Sequence, residues 1–72
     1  MAKRRIIAGK DACDILSRNG FHEVRRRESH IAMQKRDEQG TVTVPIPDHA
    51  ELKPGTLASI IRQSGLGKEV FR

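Results

Sequence analysis

The apolar residues of this chain change their spacing twice. In "GKDACDILSRNG" Ala12, Ile15 and Leu16 recur at helical intervals with Cys13 beside them, Asp11 lies in the first turn, Arg18 in the last, and Asn19-Gly20 is a stop. The spacing predicts a helix from about Lys10 to Arg18 that buries its Cys13, Ile15 and Leu16 side. From Phe21 the period falls to two. "FHEVRRR" and "SHIAMQKR" read as strands joined by a tight turn near Arg27-Glu28, and "DEQG" makes a second turn. "TVTVPI" alternates Val42, Val44 and Ile46 with Thr41 and Thr43, while Pro45 and Pro47 end its pairing or put it at a sheet edge. If Ile31 and Met33 face inwards in this meander, then His30, Ala32 and Gln34 face outwards.

The helical period returns in "ELKPGTLASIIRQSGLGKEVF". Pro54 suits a first turn, Leu57, Ile60 and Ile61 share a face, and Gly65 is the stop; Thr56 offers an alternative, later start. The final "LGKEVF" can add a short helical turn that docks Leu66, Val70 and Phe71 on the core. No repeat, low-complexity tract or linker intervenes, so residues 1–72 are expected to form one domain. The expected fold class is α+β in the order helix, three-stranded antiparallel sheet, helix. Both helices should cover one face of the sheet and leave the other open to solvent.

Composition narrows what such a domain can do. Only 36% of the residues are apolar and the aromatics are Phe21 and Phe71, so the core is small and leaves little room for an internal cofactor pocket. No apolar run approaches the ~20 residues that span a bilayer, and "MAKRRIIAGK" follows its basic residues with only a short apolar stretch. A soluble, unprocessed cytoplasmic protein is expected. The single Cys13 excludes an intramolecular disulfide, and the three histidines lack the paired spacing of a zinc site. Neither a metal nor a small-molecule cofactor is expected, and Cys13 should be a small core residue.

Charge adds a direction. The net charge is +5, with basic residues clustered as Lys3, Arg4, Arg5, then Arg25, Arg26, Arg27, then Lys35, Arg36. Such a field attracts polyanions or an acidic protein, although a solvated basic surface would look the same in sequence. A helix, three strands and a helix with exposed basic residues is also the layout of double-stranded RNA-binding modules. The absence of Tyr and Trp argues against a single-strand binder that stacks bases on its sheet.

Four segments, "GKDACDILSRNGF", "VRRRESHIAM", "TVTVPI" and "ELKPGTLASIIRQSGL", resemble in order and spacing the HicA toxin family, small mRNA interferases of bacterial and archaeal toxin–antitoxin modules. The resemblance covers nearly the whole chain and is most specific in the last segment. It implies a fold similar to the double-stranded RNA-binding domain, translation-independent cleavage of mRNA, a catalytic histidine in a Gly-Ser-His signature, and neutralisation by a HicB-type antitoxin. Ser29 and His30 match that signature, and Glu28 stands where it has glycine. The departure bears on the turn, because glycine adopts φ > 0 at little cost and glutamate does not.

On this resemblance His30 is the expected catalytic residue. An imidazole of near-neutral pKa can take the proton from a ribose 2′-hydroxyl, whose oxygen then attacks the adjacent phosphate. The products would be a 2′,3′-cyclic phosphate and a 5′-hydroxyl, with no metal required. Arg25, Arg27 and Lys35 are expected to bind phosphates, and Ser29 to orient the turn or contact RNA. One acid–base group contributes roughly 10² to 10⁴ in rate, so a slow enzyme is expected unless a second group protonates the leaving oxygen. Glu28 would share a face with His30 on a regular strand and favour the charged imidazole; a tight turn between them cancels that effect. His22 and His49 have no comparable support. The alternative function is a non-catalytic module that binds double-stranded RNA or a protein, and it would survive His30→Ala.

Overall fold

The computed structural model describes residues 7–71, so the basic cluster Lys3, Arg4 and Arg5 lies outside the described residues. Helix α1 (Gly9–Arg18) is followed by strands β1 (His22–Arg27), β2 (His30–Asp37) and β3 (Gly40–Pro47), helix α2 (Pro54–Ser64) and a 3₁₀ turn (Lys68–Phe71). The strands form an antiparallel sheet in the order β1-β2-β3. This is the expected α+β order, with Phe71 docked on the core. Helix α1 crosses all three strands and α2 packs on β3, which leaves one sheet face uncovered.

The core draws alternate residues from β2 and β3 and about one residue per turn from α1. Ile31, Met33, Val44 and Ile46 of the sheet meet Ala12, Leu16 and Phe21, with Ile60 of α2 and Phe71 closing the far side. In α1 the buried line is Gly9, Ala12 and Leu16 rather than Cys13, Ile15 and Leu16. At about 100° per residue, Cys13 and Ile15 fall on opposite flanks of that line, and each is only half-buried. Cys13 therefore packs at the edge of the core rather than inside it, lining a groove between α1 and β1 with Lys10, Glu23 and Arg26. Burial raises its thiol pKa, with Glu23 adding to the effect.

Backbone contacts lock the start of α1 to the end of the sheet. Gly9 donates its N–H to the His49 carbonyl at 2.8 Å, and Leu52 donates to that of Ile7 at 2.9 Å. A Cβ at position 9 would collide with the carbonyl oxygen of Pro47, so this approach requires glycine. The Asp11 carboxylate reaches back to accept the Ala8 N–H at 2.9 Å, which is the half of a capping box that does not need a polar side chain at the N-cap. Helix α2 starts at Pro54 rather than at the later Thr56 alternative, and ends in Gly65 at φ +76. Ser64, the only buried polar side chain among the described residues, donates to the Ile61 carbonyl and accepts from the Leu66 N–H.

Candidate RNA-facing site on the open side of the sheet

The site is set by the register of β1 and β2. Arg27 pairs with His30, Arg25 with Ala32 and Arg26 with Ile31. Residues directly opposite in an antiparallel pair share a face, so Arg25, Arg27 and His30 lie on the uncovered side and Arg26 on the helix side with Ile31. The arginine triplet is thus split between the two faces.

A bulge at Val24 explains where the rest of β1 goes. The register shifts between Glu23 and Arg25, and Glu23 pairs with Met33 on the helix side. Three residues apart on a regular strand, Glu23 and Arg26 would face opposite ways; across the bulge they face the same way. Arg26 Nε and Nη2 donate to the Glu23 carboxylate at 3.2 and 3.1 Å, and Arg26 Nη1 lies 3.6 Å from Asp48. The hydrogen bond to Glu23, then its charge, raises the Arg26 pKa further. Arg26 is occupied by acids, whereas no ion pair among the described residues involves Arg25 or Arg27. The extra residue itself, Val24, is 52% exposed.

The turn is one residue later than the sequence suggests. Because Arg27 pairs with His30, the loop is the two residues Glu28 and Ser29, and His30 opens β2. Two-residue hairpin loops of the primed types need φ > 0 at their first position and favour glycine, asparagine or aspartate there. Glu28 holds that position at φ +33, the only non-glycine residue with positive φ among those described. Backbone strain of this kind costs on the order of 1–2 kcal/mol. The turn also breaks the strand alternation that would have put Glu28 and His30 on one regular face. It nevertheless brings both to the same end of the hairpin, where Arg27, Glu28 and His30 line one shallow pocket.

Two contacts hold the histidine end of the hairpin. Ser29 Oγ lies 3.4 Å from His30 Nδ1, leaving Nε2 as the ring nitrogen that this contact does not use. The Ser29 carbonyl accepts the Asp48 N–H at 2.7 Å, tying the turn to the residue after β3.

Of the candidate residues, the structure brings together Arg25, Arg27, Ser29 and His30 and separates Lys35 from them. Lys35 pairs with Val42 on the helix-side register, and its side chain runs beside Gly20 at the α1–β1 junction. Arg36, one residue further, faces the open side and lines a shallow depression with His22, Val24 and Gln34. The period of two that turned His30 and Gln34 outwards was enough to choose Arg36 over Lys35. Gln34 in turn donates to Thr43 Oγ1 across the open face at 3.1 Å.

Fold and site together define a small α+β domain with an exposed histidine beside Arg25 and Arg27, which no acid among the described residues pairs. The family model of the HicA toxin of bacterial toxin-antitoxin matches residues 9–66, and the chain belongs to that family of toxins. No curated protein matches the chain. No helix among the described residues is long and apolar enough to cross a membrane.

Proposed function

We propose that this toxin is a metal-independent endoribonuclease, an mRNA interferase, with His30 as its proton-transfer residue. The observation that carries the reading is the pairing of His30 with Arg27 on the open face, where an imidazole and a guanidinium can reach one phosphodiester. In its simplest form His30 takes the 2′-hydroxyl proton, Arg27 and Arg25 hold the phosphate oxygens, and Ser29 sets the imidazole ring through Nδ1. The products are a 2′,3′-cyclic phosphate and a 5′-hydroxyl. The open face binds phosphates through Arg25, Arg27 and Arg36, while Lys35 stands apart from them. Membership of a toxin–antitoxin family supports an antitoxin partner, here of the HicB type, acidic where it meets the arginines and covering His30.

Expression of the parent and of His30→Ala in a bacterial host tests the reading. Growth arrest by the parent alone, with the variant folded and still binding the antitoxin, is the expected outcome. Equal arrest by both would favour a module that acts by binding RNA. Protection of His30 in a footprint of the antitoxin complex is expected; an exposed His30 would rule out direct occlusion.

A further inference from the structure

The turn beside His30 puts a glutamate where a glycine would close the hairpin without strain, and the side chain so placed lines the histidine pocket. Resting on the ribonuclease reading, we propose that Glu28 is the second proton-transfer residue of this chain, the general base at the 2′-hydroxyl, and that His30 then serves as the general acid at the leaving oxygen.

Transesterification of RNA moves two protons, one off the attacking oxygen and one onto the departing oxygen. A single imidazole must do both in turn, whereas a carboxylate and an imidazole in one pocket can divide them. As classes the two are suited to this: an ionised carboxylate can accept a proton and a protonated imidazole can donate one. In the proposed step O2′ bonds to phosphorus as its proton passes to the Glu28 carboxylate. The P–O5′ bond breaks as the His30 imidazolium gives its proton to O5′, and Arg27 faces the charge on the non-bridging oxygens. Solvent returns the protons and restores both groups.

Five other carboxylates are held elsewhere, and among the described residues Glu28 is the carboxylate that lines this pocket. Glu23 and Asp48 are bound to Arg26 on the helix side, Asp14 to Arg18, Asp11 to the Ala8 N–H, and Asp37 to the Gln39 N–H. Glu28 lines the same pocket as His30 and Arg27. The groups around the pair are Arg27 on β1, the Ser29 hydroxyl in the turn and, behind it, Asp48 with Arg26. Arginines stay charged through the range in which carboxylates and imidazoles titrate, so they hold a constant field over a pH series.

The test is cleavage of an RNA dinucleotide over a pH series by the parent, Glu28→Gln, Glu28→Gly and His30→Ala, each checked for folding by circular dichroism. A second substrate carries sulfur in place of O5′, whose thiolate leaves without being protonated. The parent rate should be bell-shaped in pH, with one limb from the base and one from the acid. Both Glu28 variants should lose roughly 10²-fold or more and the acidic limb; His30→Ala should regain cleavage on the sulfur substrate and Glu28→Gln should not. Glu28→Gly relaxes the turn, so its loss of activity cannot be ascribed to unfolding. Parental rates in the Glu28 variants, or no rescue of His30→Ala, would overturn the assignment while leaving His30 as a single base. Cleavage that ignores His30, or no cleavage by the parent, would instead overturn the ribonuclease reading together with it.

Discussion

On the covered face of the sheet Ile31, Met33, Val44 and Ile46 are at most 3% exposed, whereas one residue along each strand the open face carries Arg25, Arg27 and His30 in water. The same alternation makes both. The difference shows that the core residues and the candidate site lie on opposite sides of a single layer, so single substitutions of exposed open-face residues should leave stability nearly unchanged. The two hairpin turns repeat the contrast. At the β2–β3 end, Asp37 accepts the Gln39 N–H at 2.8 Å and Gly40 takes the positive φ, residues that suit a turn. At the β1–β2 end, which carries His30, the positive φ falls on Glu28.

The largest effect should come from Phe21→Ala, which empties a fully buried site on the covered side. A loss of about 3–5 kcal/mol is expected by urea denaturation, a large part of the stability of a domain this small. Gly9→Ala should cost about 1–3 kcal/mol by the same measurement, because the new methyl meets the Pro47 carbonyl. A neutral result would mean that α1 does not approach the end of β3 as described. Glu28→Gly should act in the opposite direction and stabilise the fold by about 0.5–1 kcal/mol, the relieved strain less the added chain entropy of glycine. Destabilisation would contradict the positive φ at that position.

The smallest changes should be in RNA affinity against salt. Arg25→Ala and Arg27→Ala should each reduce the log–log salt slope by about 0.7–0.9 and leave stability within about 0.5 kcal/mol. Arg26→Ala and Lys35→Ala should leave the slope unchanged. Equal effects from all four would erase the distinction between the faces.

Much of this was legible in the sequence. The change of period at Phe21 and its return after Pro54 marked the order of elements, and alternation about Ile31 and Met33 placed His30 on the open side. Less legible were features that depend on distant partners. The bulge at Val24 follows from pairing against β2, yet it decides that Glu23 and Arg26 meet. The burial of Ala12 in place of Cys13 depends on how α1 is rolled on the sheet, and the need for Gly9 arises from Pro47, far along the chain. The face of Lys35 is legible in the alternation, since it lies two residues beyond the inward-facing Met33, whereas its charge alone does not distinguish it from Arg36. The position of the turn depended on pairing Arg27 with His30, one residue later than the glycine-free loop indicated.

The central claim is that the open face cuts RNA through His30. It is tested most directly by incubating RNA in EDTA with the purified parent and with folded His30→Ala, and identifying the product ends. Cleavage by the parent alone, leaving 2′,3′-cyclic phosphates and 5′-hydroxyls, is the predicted result. RNA that is bound equally by both proteins and cut by neither would contradict it.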